Sequence, residues 1–92
     1  MPDRSDDELV KEILRGNVDA AEILYQRYSH YIYKILYRKT AGRQQDAEDL
    51  THDVWMKLTD ALPAYTPQGK FQQWINAIIR TIHIDWERAR AR

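Results

Sequence analysis

The chain has 92 residues, no cysteine, and 14 Lys and Arg residues against 14 Asp and Glu residues. This length supports one small hydrophobic core, and the lack of cysteine excludes disulfides and thiolate metal sites. Zero net charge, taken over the whole chain, argues against a nucleic-acid binder. The sequence has no apolar run that could span a membrane and no start that resembles a secretory signal, so we expect a cytoplasmic protein.

Apolar residues recur at helical spacing along nearly the whole chain, starting with a short leading helix. Ser5 and Glu8 form a Ser-x-x-Glu capping box, which predicts a helix over about residues 6–15. Asn17 is a typical N-cap residue, so a second helix should begin there and run to about Lys39. The stripe predicted to bury this second helix is Ala21, Leu24, Tyr25, Tyr28, Ile32, Ile35 and Leu36.

Two further helices complete the predicted fold. Asp46 is expected to cap a third helix, and Pro63 and Pro67 then bracket a loop, because proline cannot continue a helix. A fourth helix should begin near Lys70 or Phe71. The predicted stripes are Ala47, Leu50, Val54, Leu58 and Leu62 in the third helix and Phe71, Trp74, Ile75, Ile78 and Ile82 in the fourth.

The sequence therefore predicts a single all-α domain over residues 1–92, a compact bundle of three main helices plus a short N-terminal helix. Its charges alternate in blocks. Residues 1–22 carry a net −4, residues 23–43 +5, residues 44–61 −4 and residues 62–92 +3. Such a domain can present an acidic surface to one partner and a basic surface to another. The alternative is that the blocks are solvated helix faces that serve solubility alone.

The third predicted helix combines acidic and large apolar residues. Asp49, His52 and Asp53 lie at i, i+3 and i+4 and so share one helical face. Trp55 and Met56 lie beside the core stripe and cannot both be buried with it, which favours a protein contact. One alternative is that the acids only stabilise the helix, because negative charge near its N-terminus interacts favourably with the helix dipole. A less favoured alternative is a metal-dependent hydrolase site formed by Asp49, His52 and Asp53.

The loop and the fourth helix interleave aromatic, amide and basic residues, which is typical of single-stranded nucleic-acid binding. Bases stack on aromatic rings, amides bond to base edges, and Lys or Arg contacts phosphate. Phe71 and Trp74 fit the core stripe, so packing is the favoured role for both. The polar residues that fall largely off the stripe, and form the predicted reading surface, are Gln72, Gln73, Asn76, Arg80 and Thr81.

Together these motifs resemble region 2 of bacterial sigma factors, especially the extracytoplasmic-function (ECF) group. The resembling segments are residues 6–10, 16–21 and 24–28, the acidic run Asp46-Ala47-Glu48-Asp49-Leu50-Thr51-His52-Asp53-Val54-Trp55, and Phe71-x-x-Trp74-Ile75-x-x-Ile78-x-Arg80 followed by Asp85 and Arg88. They cover nearly the whole chain in the family's order. The resemblance implies a transcription initiation factor domain, not an enzyme, without metal, cofactor or catalytic residues.

The resemblance implies two binding surfaces. The acidic helix would dock on the coiled coil of the RNA polymerase β′ subunit, through Asp49, His52, Asp53, Trp55, Met56 and Thr59. The loop and fourth helix would recognise and help melt the promoter minus-ten element and hold a base flipped from the non-template strand. Their residues would be Tyr65, Gln68, Lys70, Gln72, Gln73, Asn76, Arg80, Thr81, Ile84 and Arg88. An anti-sigma factor is a further partner that the resemblance allows.

The sequence departs from the family pattern in three ways. His52 stands where the family usually has Gln, which bears on the polymerase contact, and Thr81 stands where many members have Asn, which bears on the base preference. The family's second domain, a helix-turn-helix that reads the minus-thirty-five element, is absent from the sequence. The chain is either a domain cut from a longer factor or one half of a split factor, and both alternatives are open.

Two other functions compete with the sigma factor hypothesis. The first is a sigma-like interaction module that binds polymerase or a regulator without reading DNA. The second is the metal-dependent enzyme built on Asp49, His52 and Asp53. Binding to single-stranded minus-ten oligonucleotides separates the first alternative from the leading hypothesis, and a metal titration tests the second.

Overall fold

The computed structural model describes residues 4–91, and all of their regular secondary structure is helical. The elements are α1 (Asp6–Leu14), α2 (Val18–Lys39), α3 (Gln44–Ala61), a 3-10 turn (Leu62–Ala64) and α4 (Phe71–Arg90). Helix α2 packs against α1, α3 and α4, and α3 also packs against α4. This arrangement confirms the predicted all-α bundle of three main helices plus a short N-terminal helix. No helix in the described part of the chain is long and apolar enough to cross a membrane.

One continuous hydrophobic core joins all the helices. The predicted stripe of α3 is entirely buried, and it continues into Leu62 at the start of the 3-10 turn. The buried residues of α2 are Ala20, Leu24, Tyr28, Ile32 and Leu36, one at every fourth position. The buried residues of α4 are Phe71, Ile75, Ile78 and Ile79, and the predicted core residues Trp74 and Ile82 are half-buried against them.

The prediction that Tyr25 and Ala21 lie in the core is wrong. Tyr25 is 51% exposed and Ala21 is exposed, because the four-residue spacing of the buried α2 positions runs through Ala20 and Leu24 instead. The Tyr25 ring packs against α3, with its centroid 5.0 Å from that of Trp55. It therefore lies at the edge of the α2–α3 contact rather than inside the core.

Capping residues set the starts of the first two helices as predicted. The Glu8 N–H donates to the Ser5 hydroxyl at 3.1 Å, and the Ser5 N–H donates to the Glu8 carboxylate at 3.3 Å. The Ala20 N–H donates to Asn17 Oδ1 at 3.2 Å. These bonds satisfy donors that a helix N-terminus leaves without a partner, and they fix where α1 and α2 begin.

The prediction that Asp46 caps α3 is wrong, because the helix begins earlier. It starts at Gln44, with Arg43 as the N-cap residue and no side-chain cap bond. Asp46 lies within the first turn, where its negative charge interacts favourably with the positive end of the helix dipole. In the preceding turn, buried Thr40 donates its hydroxyl to the carbonyl of Leu36 at 2.8 Å, which closes the end of α2.

Candidate functional site

The loop of residues 65–70, between the 3-10 turn and α4, is tied to the start of α1. The Tyr65 hydroxyl donates to Asp7 Oδ1 at 2.5 Å, and the Gly69 N–H donates to Asp7 Oδ2 at 2.7 Å. Gly69 has a φ of +72°, in the left-handed region where glycine has no steric cost. One carboxylate thus holds two points of the loop, four residues apart.

Tyr65 belongs to the core as well as to the loop. It is only 8% exposed, and its ring centroid lies 4.8 Å from that of Trp74 and 5.4 Å from that of Phe71. Burial, and then the hydrogen bond to Asp7, raises the pKa of Tyr65 to about 12. The hydroxyl therefore stays protonated and donating near neutral pH. Only the exposed edge of this predicted DNA-binding residue is available to a ligand.

A cavity of about 400 Å³, the loop cavity, opens between the loop and the first turn of α4. Its lining residues are Ala64, Tyr65, Thr66, Gln68, Lys70, Gln73 and Trp74. Trp74 supplies an aromatic ring, the two glutamines supply amides, and Lys70 supplies a cation. Aromatic, amide and cationic groups are the ones that stack on a base, bond to its edge and neutralise its phosphate.

A second opening, the α2–α4 groove, has a volume of about 480 Å³. Helix α4 contributes Gln73, Asn76, Ala77, Ile79 and Arg80, and α2 contributes Tyr31, Ile35 and Lys39. Gln73 lines both openings, so the groove adjoins the loop cavity at that residue. A single-stranded nucleic acid with one base in the loop cavity would have room to continue along the α2–α4 groove, between the cations Lys39 and Arg80.

Tyr31, which no sequence motif singled out, holds the side-chain amides of Asn76 and Gln72 at this groove. Its hydroxyl donates to Asn76 Oδ1 at 2.6 Å and accepts from Gln72 Nε2 at 3.3 Å. A separation of 2.6 Å is typical of an O–H···O bond and short for N–H···O. Asn76 therefore turns its carbonyl toward Tyr31, which leaves its NH₂ group as the donor available to a ligand.

The remaining predicted DNA-binding residues lie further along α4. Thr81, Ile84 and Arg88 are exposed but line neither the loop cavity nor the α2–α4 groove. The Thr81 hydroxyl donates to the Ala77 carbonyl at 3.0 Å, so its oxygen is left mainly as an acceptor. The structure thus leaves these three on the distal part of the helix. The predicted residues that it gathers around the two openings are Tyr65, Gln68, Lys70, Gln73, Asn76 and Arg80, whereas Gln72 lines a separate opening beside Asp7.

The residues predicted to contact a protein form the solvent side of α3. Asp49, His52, Asp53, Met56 and Thr59 are all exposed, and Met56 is 55% exposed despite its apolar side chain. Trp55 is half-buried at the edge of this face, against Tyr25. Its buried indole N–H has no hydrogen-bond partner among the described residues. We call the five exposed residues together with Trp55 the α3 face.

Charge on the two surfaces is not neutralised by internal ion pairs. Within residues 4–91 the ion pairs between charged side chains are Arg4–Glu12 and Arg27–Asp6, and the His83 ring lies 2.8 Å from the Glu87 carboxylate. None of them includes the acids of the α3 face or the cations Lys70 and Arg80. The acidic and basic side chains therefore keep their charges for partners.

The metal-site alternative on α3 finds no support in the geometry. Between residues 4 and 91 no group of three or more His, Cys, Asp or Glu side chains is placed to hold a metal ion. Asp49 instead accepts a hydrogen bond from the Gln45 side chain at 2.9 Å, one helical turn away.

The model of the Sigma-70 region 2 family matches residues 24–92 of the chain. The chain belongs to this family. The match includes α3, the loop and α4, so the α3 face, the loop cavity and the α4 side of the groove lie within it. Helix α1, including Asp7, precedes the matched residues.

The relatives of this sigma region 2 domain place it in the ECF group. It is 33% identical over 79 residues to the ECF RNA polymerase sigma factor BldN of Streptomyces coelicolor, covering 85% of this chain and 30% of that protein. It is 32% identical over 69 residues to the ECF RNA polymerase sigma factor SigE of Mycolicibacterium smegmatis, covering 75% of this chain and 26% of that protein.

A third relative, the ECF RNA polymerase sigma factor SigW of Bacillus subtilis, is 25% identical over 76 residues, covering 83% of this chain and 40% of that protein. The sigma region 2 domain described here therefore spans well under half the length of the curated relatives that it matches. No solved structure gives a significant match.

Proposed function

We propose that this domain binds the RNA polymerase core through the α3 face and reads the promoter minus-ten element through the loop and α4. The family match and the ECF relatives support a role in transcription initiation. The observation that carries the DNA-reading part is the loop cavity, where an aromatic ring, two amides and a cation converge on one space.

In this proposal, the loop cavity captures a base flipped from the non-template strand. Taking a base out of the stack costs a few kcal/mol, and stacking on an aromatic side chain returns about 1–3 kcal/mol per base. Trp74 would supply the stacking surface and Lys70 a phosphate contact. Binding energy alone can therefore help to melt the promoter, and the polymerase, not this domain, performs the catalysis.

The next bases of the strand would lie in the α2–α4 groove. Tyr31 holds the carbonyl of Asn76, so the Asn76 NH₂ group is presented as a donor to base-edge acceptors. Arg80 lines the same groove and would contact the phosphate backbone. Of the distal residues, Ile84 and Arg88 would contact DNA beyond the groove, and Thr81 would offer an acceptor.

The partner proposed for the α3 face is the coiled coil of the β′ subunit. Met56 and Trp55 provide an apolar centre, and Asp49 and Asp53 provide acidic groups around it. An apolar anchor surrounded by polar residues is the usual anatomy of a protein interface. His52 lies on the same face and adds a ring that can take part in hydrogen bonds with the partner.

Three further proposals follow from the family. Residues 1–92 form one region 2 domain of a sigma factor. The domain works in the cytoplasm, where it meets polymerase and promoter. An anti-sigma factor would regulate it by covering one of the two surfaces. Each of these proposals rests on the family membership rather than on a feature of the described residues.

A selection from a random single-stranded DNA library tests the DNA-reading proposal. The purified domain should enrich one preferred oligonucleotide, and fluorescence anisotropy should show affinity for it that falls as salt rises. Replacing Asn76 with Ala should weaken this binding, whereas Gln26→Ala, on the exposed side of α2, should not. Sequence-blind binding, or none, would favour an interaction module that does not read DNA.

A further inference from the structure

Two adjacent acids at the start of α1 make contacts with different parts of the molecule. Asp6 accepts hydrogen bonds from Arg27 at 2.8 Å and from the Tyr28 hydroxyl at 2.5 Å, so it ties α1 to α2. Asp7 accepts from Tyr65 and Gly69, 58 and 62 residues further along the chain. Asp6 therefore serves packing between helices, whereas both oxygens of Asp7 are committed to the loop.

The loop has little else to define its shape. No backbone–backbone hydrogen bond joins residues 66–69 to another described residue. The loop's Gly69 N–H finds its partner in Asp7, and Gly69 lies between Gln68 and Lys70, which both line the loop cavity. A displacement of Gly69 would move an amide and a cation of the cavity together.

We infer that Asp7 is a positioning residue of the DNA-reading loop, whose two hydrogen bonds hold the loop cavity in the shape that accepts an unstacked base. This inference rests on the proposed function and deepens it. Asp7 touches no nucleotide itself. It acts through Gly69, which places Gln68 and Lys70, and through Tyr65, whose ring forms one wall of the cavity. Asp7 lies in α1, ahead of the residues that the family model matches.

The variants Asp7→Asn and Asp6→Asn form a matched pair for the test. Both remove one negative charge from neighbouring positions, so both should attract DNA slightly more through non-specific electrostatics. Asparagine at position 7 keeps the shape of the side chain but offers one acceptor oxygen instead of two. One of the two loop donors therefore loses its acceptor or reverses its direction, and neither bond is strengthened by a negative charge any longer, whereas asparagine at position 6 weakens contacts with α2 only.

The experiment is an abasic scan of the preferred oligonucleotide obtained from the library selection. In each probe one base is removed, and the dissociation constant is measured by anisotropy. The unaltered domain should lose about tenfold in affinity at the one position whose base enters the loop cavity. Asp7→Asn should weaken binding of the intact probe by about five- to tenfold and flatten the loss at that position to less than about threefold. Asp6→Asn should keep the profile of the unaltered domain.

The outcomes separate this inference from the proposed function. If the unaltered domain shows no sensitive position, base capture itself is wrong. If it shows one and Asp7→Asn preserves the tenfold loss there, Asp7 does not position the loop and the inference is overturned. If both variants lost the same affinity for every probe, relative to the unaltered domain, α1 would contribute stability only and the inference would be overturned. Tyr65→Phe removes one of the two bonds and should give an intermediate profile, so it decides the question if Asp7→Asn does not fold.

Discussion

The α3 face and the proposed DNA-reading surface, which comprises the loop cavity and the α2–α4 groove, are built in different ways. The α3 face is one side of a single helix, and its exposed residues bond, where they bond at all, to positions one turn away, as Asp49 does to Gln45 and Thr59 to Trp55. The DNA-reading surface is assembled from α1, α2, the loop and α4 by side-chain hydrogen bonds that span 41 to 62 residues.

The difference predicts how each surface responds to change. A substitution on the α3 face should alter the one contact that the residue makes. A substitution among the residues that assemble the DNA-reading surface should displace the side chains of other residues as well.

The largest effect is expected from charge reversal on the α3 face. Asp53→Arg places like charge where the proposed interface needs an acid, and loss of a close interfacial charge pair typically costs about 2–5 kcal/mol. Capture of polymerase core by the immobilised domain should fall at least about 30-fold. Binding to the single-stranded oligonucleotide should not fall, since Asp53 lines neither the loop cavity nor the α2–α4 groove.

The matched control for this variant is Glu22→Arg, a reversal at an exposed position of α2. It should leave the capture of polymerase core unchanged. If both reversals reduce capture equally, the effect comes from net charge, and the α3 face has no special role in binding polymerase.

A smaller effect is expected from removing a cation of the α2–α4 groove. Arg80→Ala should weaken oligonucleotide binding by about tenfold and reduce the slope of log affinity against log salt by about one. Capture of polymerase core should be unchanged. Arg15→Ala removes an equal charge at the exposed end of α1 and should leave the slope as it is. An unchanged slope for Arg80→Ala would show that Arg80 contacts no phosphate.

Removing one hydroxyl from α2 should change discrimination between bases more than overall affinity. Tyr31→Phe breaks the bonds to Asn76 and Gln72, and a hydrogen bond of this kind is worth about 0.5–1.5 kcal/mol. The ratio of affinities for two oligonucleotides that differ at one base should shrink by about threefold to tenfold. Tyr33→Phe is the control, because no hydrogen bond from its hydroxyl is found among the described residues. Undiminished discrimination in Tyr31→Phe would mean that Asn76 reads bases unaided.

The smallest effect concerns stability at alkaline pH. The pKa of Tyr65 is raised to about 12, above the ordinary value of 10, because burial and the bond to Asp7 favour the neutral hydroxyl. Its stabilisation is therefore complete below pH 10 and is lost as the pH rises through 12. Between pH 9 and pH 11 the free energy of unfolding should fall by about 1 kcal/mol more in the unaltered domain than in Tyr65→Phe, as measured by urea denaturation. Equal losses would show that the Tyr65 hydroxyl does not titrate in this way.

Helical periodicity predicted what lies within one helix. It identified the buried stripe of α3 and the exposed acids beside it, because both follow from the 3.6-residue repeat alone. It failed at Tyr25, because a wide apolar stripe does not say which of its edges the neighbouring helix covers. The capping box of α1 was predicted correctly because its partners are three residues apart.

Contacts between distant segments could not be predicted in this way. Asp7 looked like one of three acids in the first turn of a helix, and nothing in its neighbourhood points to a loop some 60 residues away. Tyr31 is one of several tyrosines of α2, and only the packing of α2 against α4 selects it as the partner of Asn76. Of the residues that line the loop cavity, Gln73 was predicted by its chemistry, and Tyr65, Gln68 and Lys70 by the family resemblance. Trp74 was assigned to packing, and the residues that hold the cavity in place were not predicted.

The central claim is that two separate surfaces serve two partners, and one anisotropy measurement tests it most directly. The preferred single-stranded oligonucleotide is titrated with the unaltered domain, with Asn76→Ala and with Asp53→Arg. We predict that Asn76→Ala loses about tenfold in affinity whereas Asp53→Arg binds at least as tightly as the unaltered domain. Undiminished binding by Asn76→Ala, or a comparable loss in Asp53→Arg, would contradict the assignment of DNA reading to the loop and α4.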